Sequence, residues 1–185
     1  MPGARVASGE QVTLRTVEQE DVPFLQRAAA NPELRYPLGN SPKNREQFEI
    51  PKEDDGTDRF LVCLDGDDAG PGSPDEDDVR RIGGMTVRDA DWRRPELGYW
   101  LIPEVHGEGY ATEMVSLVVD YVFRTYDHPA VGAGVYAFND ASRGLLESLG
   151  FEEEGRIRRD RFVDGEYMDN IRYGLLREDW CDRIE

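Results

Sequence analysis

The chain reads as a single α/β domain, a mixed sheet of seven strands with helices on its faces. Three observations predict this. Its 185 residues suit one ordinary domain with a substantial core. Period-two and helical hydrophobic patterns follow one another in the order βααβββαβαββ. Near the end, Asp164-Gly165 separates two strand-like stretches as a type I′ hairpin signal.

Residues 1–10 carry one arginine and no apolar run, so they are read as a flexible N-terminus and not as a secretory signal. The domain itself spans 11–180. Residues 11–17 alternate apolar and polar and form a first strand. Val22, Leu25, Ala28 and Ala29 recur at helical spacing within 18–30, and Asn31-Pro32 closes that helix. Ser41-Pro42 opens a short helix to Phe48, and 59–64 is a strand.

Residues 65–78 hold seven acids, three glycines and two prolines. The acids lack the alternating ligand spacing of a calcium loop, so 65–79 is an inserted, solvated acidic loop. Strands follow at 82–87 and 96–102. A helix over 108–126 places Ala111, Val115, Val118 and Val122 on one face and ends before His128-Pro129. His128 is read as a solvated residue favourable to the helix dipole. Residues 131–138 form a strand. The helix 140–149 turns Ala141, Leu145 and Leu149 inward and is closed by Gly150 at a left-handed C-cap. Strands 156–163 and 166–176 flank the hairpin turn.

Charge excludes some functions. Thirty-nine acids stand against 22 bases, a net charge of -17, the wrong sign for neutralising nucleic-acid phosphates. Only Lys43 and Lys52 are lysines; every other base is arginine. Acid loading with lysine almost absent fits a halophilic, salt-rich cytoplasm, where self-repulsion is screened. An ordinary acidic protein is the alternative. No apolar run is long enough to span a bilayer, so neither a membrane nor a nucleic acid is expected as partner. Cys63 and Cys181 fit no metal-ligand spacing and are read as free thiols, with a disulfide as the alternative; no metal is expected.

The chemistry is concentrated in a turn. Gly107 and Gly109 stand directly after a strand and directly before a helix, where backbone N–H groups and the helix dipole converge on an anion. A dinucleotide fingerprint needs a third glycine where Thr112 stands, and a Walker loop needs Gly-Lys-Ser/Thr, which is absent.

Taken together, ELGYWLIPEVHGEGYATEM and, further on, NDASRGLLESLGF resemble the GNAT acetyltransferase superfamily, most closely its RimJ/RimL branch. RTVEQEDVPFL near the start and EGRIRRDRFVDGEYMDNIRYGLLREDW near the end extend the resemblance over nearly the whole chain. It implies a splayed, mostly antiparallel sheet with acetyl-CoA, the cosubstrate, wedged between strands 96–102 and 131–138. The turn from His106 through Gly107, Glu108, Gly109, Tyr110 and Ala111 to Thr112 would hold the pyrophosphate. Leu101 and Ile102 would pair with the pantetheine arm. Asn139 and Ser142 would lie at the thioester end, and Glu96 would act as base. Tyr36, Pro37 and Tyr136 are placed at the acceptor.

Two departures stand out. His106 replaces the usual Gln or Arg, and Leu146 occupies the place where many relatives carry a tyrosine acid, which makes Ser142 its substitute. Structural readings stand beside these roles. Glu96 could pair with Arg93 or Arg94, Asn139 is an N-cap for the helix after it, and Tyr99, Trp100 and Tyr136 suit sheet packing. The expected function is acetyl transfer to a primary amine, a protein N-terminus such as that of a ribosomal protein. A small amine (amino acid, polyamine or antibiotic) is the alternative within the enzyme class, and a non-catalytic acyl-CoA sensor the alternative outside it. The chain is expected to be a monomer or homodimer. An α-amine with pKa near 7.7–8.0 needs less base assistance than a lysine near 10.4.

Overall fold

The computed structural model describes residues 3–44, 56–65 and 79–184. The first strand is β1 (Arg5–Ser8), followed by β2 (Val12–Thr16). Two helices come next, α1 (Val22–Ala30) and α2 (Pro32–Leu38), then the strands β3 (Thr57–Asp65), β4 (Val79–Arg88) and β5 (Glu96–Leu101). The second half is α3 (Tyr110–Thr125), β6 (Ala130–Tyr136), α4 (Asp140–Ser148), β7 (Glu152–Val163), β8 (Glu166–Leu176) and α5 (Arg177–Ile184).

All strands belong to one sheet in the order β1-β2-β3-β4-β5-β6-β8-β7. Every neighbouring pair is antiparallel except β5 and β6. The sheet has eight strands, not seven. The additional one lies within the stretch expected to be flexible, where Arg5, Ala7 and Ser8 pair with β2.

Helices differ from expectation in instructive ways. Asn31-Pro32 ends one helix and also begins another. Asn31 caps α2 by accepting the Glu33 N–H at 3.0 Å, Pro32 occupies the first turn, and Gly39 closes the helix at φ 64°. The expected helix at 42–48 finds no support at 42–44, and its remainder lies outside the described residues, as does most of the acidic loop 65–79. The 18–30 segment begins as a 3-10 turn, Gln19–Asp21, with Glu18 and Asp21 forming a capping box. In α4 the buried residues are Leu146 and Leu149, while Ala141 is exposed. Leu145 packs partly buried against the core and Leu149 is buried as expected, while Ala141 borders the cleft instead and Leu146 joins the core.

The hairpin turn is as expected: Asp164 and Gly165 have φ of 48° and 87°, both positive as a type I′ turn requires. Gly150 at φ 90° ends α4. Cys63 and Cys181 are both free, and burial pushes the Cys63 thiol up to about 12.

The core lies between the sheet and α3. Met114, Val115, Val118, Val119 and Val122 are fully buried against Leu14, Val62, Ile82, Val87 and Val131. The valines and isoleucine among them suit the sheet, and on α3 the valines are tolerated because burying each contributes about 1.5–3 kcal/mol. Trp180 of α5 is buried and donates its indole N–H to Asp120 at 2.8 Å.

Arg177 locks the end of α3. Its guanidinium donates to the carbonyls of Phe123 (2.5 Å), Tyr126 (2.6 Å) and His128 (2.9 Å) and lies 4.8 Å above the Phe123 ring. Those are helix-terminal carbonyls that have no further turn to bond. His128 is correspondingly not a solvated dipole residue: its Nε2 bonds the Ala90 carbonyl at 2.6 Å. Replacing Arg177 by Met should lower stability by about 2–4 kcal/mol, since several charge-assisted bonds are lost together. Urea unfolding measures this, and an unchanged midpoint would show that water caps the helix equally well.

Candidate active site

Strands β5 and β6 run in parallel but pair only at Glu96 with Gly132 and at Leu97 with Ala133. Beyond that point β5 stays with β4 as far as Leu101 opposite Gly83, and β6 stays with β8 as far as Tyr136 opposite Asn170. The two strands separate. Their facing edges border a cleft of about 870 Å³, whose walls come from β5, the turn after it, α3, α4 and α2.

The cleft gathers most of the residues singled out in the sequence: Leu101, His106, Gly107, Gly109, Tyr110 and Ala111. Thr112, Asn139, Ser142 and Pro37 also line it. Gly107 and Gly109 both have φ of 86°, the left-handed region that glycine enters without steric cost. Among the described residues, the amides of Gly107, Glu108, Gly109, Tyr110 and Ala111 have no backbone acceptor. Converging unpaired donors at the start of a sixteen-residue helix are suited to a phosphate-bearing ligand.

His106 does not reach toward that site with its ring. Its Nε2 meets the Leu101 carbonyl at 3.0 Å, so the ring ties the turn to the end of β5. Ile102 is outside the lining, and its N–H donates to the Ile82 carbonyl at 2.8 Å. Glu108 contributes its amide while its side chain is exposed. Asn139 caps α4, accepting the Ser142 N–H at 3.1 Å, and thereby places Ser142 at the inner wall. The Ser142 Oγ lies 2.6 Å from the hydroxyl of Tyr99. Burial pushes that phenol up to about 12, against the opposing effect of the Ser142 hydrogen bond.

Leu146 is fully buried in the core and presents nothing to the cleft. Tyr36 is exposed with Arg35 stacked over its ring, and Tyr136 stacks on Phe138; of these three aromatics only Phe138 lines the cleft.

Glu96 lies just where the strands part, and it alternates with Gly98 and Trp100, away from the face carrying Tyr99 and Leu101. It is 7% exposed and ion-paired with Arg172 of β8, not with Arg93 or Arg94. Those two are taken by Asp89 (2.6 Å) and Glu154 (2.7 Å). The second carboxylate oxygen of Glu96 is buried without a hydrogen-bond partner among the described residues. Arg172 reaches Glu96 because β6 offers glycines. A Cβ on Gly134 would come within 2.8 Å of the Arg172 guanidinium, and one on Gly132 within 2.8 Å of the Glu96 carboxylate.

Sequence reasoning missed Glu33, Leu38, Phe138 and Asp140 in the lining, and took Tyr99 for packing. Strand alternation could have placed Tyr99 beside Leu101, but its partner lies 43 residues away. The charged lining is also informative: Glu33 and Asp140 contribute carboxylates, and no Lys or Arg lines the cleft among the described residues.

Residues 11–152 match the family model of the acetyltransferase (GNAT) domain. A prophage-derived uncharacterized N-acetyltransferase of Bacillus subtilis, YokL, is 29% identical over 180 residues, 94% of each chain. YdaF of the same organism, provisionally named a ribosomal N-acetyltransferase, is 33% identical over 88 residues, 48% of each chain. The crystal structure of spermidine N-acetyltransferase from Vibrio cholerae, in complex with CoA and spermine, superposes with a TM-score of 0.80 at 23% identity, over 94% of this chain and 99% of that one.

Two outcomes are expected. Gly109→Ala puts a side chain into open space but into the left-handed region, a cost of about 1–2 kcal/mol, and should weaken CoA binding roughly tenfold as the turn relaxes. Calorimetry reads this, and full affinity in the variant would count against an amide cradle. Second, CoA affinity should rise between dilute buffer and about 1 M salt, because screening relieves repulsion by the acidic chain and no cationic side chain lines the site to be screened. A steady loss of affinity over that range would point to cationic anchors instead.

Proposed function

The chain belongs to the GNAT acetyltransferase family, and from that membership we propose that the amine it acetylates is a small polycation of the polyamine type. The reaction is N-acetyl transfer from acetyl-CoA. One observation carries the choice of acceptor: the cleft lining includes Glu33 and Asp140, the latter paired with Arg143 at 3.3 Å, and no Lys or Arg among the described residues. A chain of ammonium groups is attracted to such walls and to a protein of net charge -17. The fold-level likeness to a spermidine N-acetyltransferase in complex with CoA and spermine supports the same reading.

In this reading the amides of Gly107 to Ala111 hold the pyrophosphate, and the open edge of β5 at Leu101 receives the pantetheine arm. Ser142, fixed by the Asn139 cap, stands at the thioester. Glu96 takes the proton lost by the attacking amine. Its Oε1 is committed to Arg172, so Oε2 is the free acceptor, reached through water because Glu96 does not line the cleft. Such help matters for an amine of lysine-like basicity, which is almost wholly charged at pH 7. Pro37 and Leu38, with Glu33, shape the acceptor entrance; Tyr36 and Tyr136 flank it from outside the lining. The motifs over 96–114 and 139–151 support a RimJ/RimL-type enzyme, and the acid loading with scarce lysine supports a salt-rich cytoplasm.

A second acceptor, a protein N-terminal amine, is favoured by its lower pKa and by the half-length similarity to YdaF. Mass spectrometry after incubation with acetyl-CoA separates the two. Spermidine and spermine should gain acetyl groups while peptides with free N-termini remain unmodified; the reverse pattern would transfer the assignment to the protein acceptor. Glu96→Gln should lower kcat about 100-fold with CoA affinity unchanged. Wild-type turnover in that variant would remove Glu96 from the chemistry.

A further inference from the structure

Two hydroxyl groups meet inside the cleft from opposite sides of the split. Tyr99 projects from β5 and Ser142 from the first turn of α4, with Oη and Oγ 2.6 Å apart. Both residues line the cleft. Ser142 is held in place through its backbone, since its N–H is bonded to the Asn139 side chain. The other serine of the lining, Ser148, commits its hydroxyl proton to the Leu145 carbonyl at 2.7 Å. Tyr110 and Thr112 belong to the pyrophosphate turn, at the start of α3.

A departing thiolate is neutralised by a proton as the C–S bond breaks. Serine alone is poorly suited to give one. An aliphatic hydroxyl is a far weaker acid than a phenol, whose ordinary pKa is about 10, so serine can pass a proton on only when it is refilled in the same motion.

We propose that Tyr99 is the proton source for the leaving group, acting through Ser142 as a relay; this rests on the acetyl-transfer reading above. The amine adds to the thioester carbonyl and loses a proton. When the tetrahedral adduct collapses, the C–S bond breaks and its electron pair stays on sulfur. Ser142 transfers its hydroxyl proton to sulfur, forming the CoA thiol, and Tyr99 transfers its phenolic proton to Ser142 Oγ. Glu96 passes the amine's proton to solvent, and solvent returns one to the Tyr99 phenolate, so the cycle closes without any further reactant. Burial keeps the phenol loaded between turnovers, since its pKa lies well above neutrality. Tyr99 is thus a positioning and proton-supplying residue, and Ser142 is the group that touches the sulfur.

The test follows thiol release from acetyl-CoA with spermidine, or with whichever amine is acetylated. Wild type, Tyr99→Phe, Ser142→Ala and the double variant are compared. Tyr99→Phe should lower kcat about 100-fold while KM for acetyl-CoA stays within about twofold. The double variant should be no slower than Ser142→Ala, because both act in one relay. With the oxygen analogue of acetyl-CoA, whose alkoxide leaving group needs a proton more urgently, the Tyr99→Phe penalty should be larger. Incorporation of 3,5-difluorotyrosine at position 99 keeps ring and hydroxyl but lowers the phenol pKa, and should introduce a loss of kcat as pH rises. Equal losses on both donors, multiplicative single-variant effects, or a pH profile unmoved by fluorination would overturn the relay. Wild-type kcat in Tyr99→Phe would overturn it too, while leaving acetyl transfer standing; a wild-type chain that releases no thiol with any amine overturns both.

Discussion

The ion pair between Glu96 and Arg172 sits at the point on which the architecture turns. It joins β5 to β8 across β6, at the last residues where β5 and β6 still pair. Beyond it the sheet divides, and the edges bordering the cleft are left for a ligand. Two glycines make the crossing possible, because side chains at Gly132 and Gly134 would occupy the space taken by the carboxylate and the guanidinium. Next to it Arg94 pairs with Glu154 of β7, whose carboxyl is held below its usual range by that hydrogen bond. A charged layer therefore binds the four strands β5, β6, β8 and β7 on one side. Glu96 also keeps one buried oxygen unpartnered. A buried charge is costly unless compensated, and Arg172 supplies that compensation at one of the two carboxylate oxygens.

An acidic protein that binds an anionic coenzyme meets an electrostatic difficulty, and the fold addresses it locally. Lys and Arg are absent from the described cleft lining, so the groups there suited to attract an anion are the oriented amides at the start of α3 and its dipole. These donors carry no net charge and do not alter the long-range field of the chain. That field remains acidic. In the reading proposed above, backbone geometry would draw the phosphates and side-chain charge the amine.

Much of this was legible in the sequence because its signals are local. The glycine turn between strand and helix, the Asn139 cap, the Gly150 stop and the Asp164-Gly165 hairpin each depend on a few adjacent residues, and each is found where expected. Other features failed for equally physical reasons. Asn31-Pro32 terminates one helix and starts the next, and a single dipeptide does not announce both. Strand β1 has a weak apolar pattern, and what defines it is pairing with β2. On α4, Leu145 and Leu149 pack inward as their spacing predicts, but Ala141 borders the cleft and Leu146 enters the core.

The sequence alone determined the family, the glycine turn between strand and helix and part of the cleft lining, since these are carried by contiguous motifs whose geometry the backbone enforces. Only the tertiary structure decided the partner of Glu96, the turn of His106 onto Leu101, and the meeting of Tyr99 with Ser142. Arg172 lies 76 residues from Glu96 and Ser142 lies 43 from Tyr99. Pairs so distant are chosen by strand order and by where the sheet divides, and no local pattern encodes that.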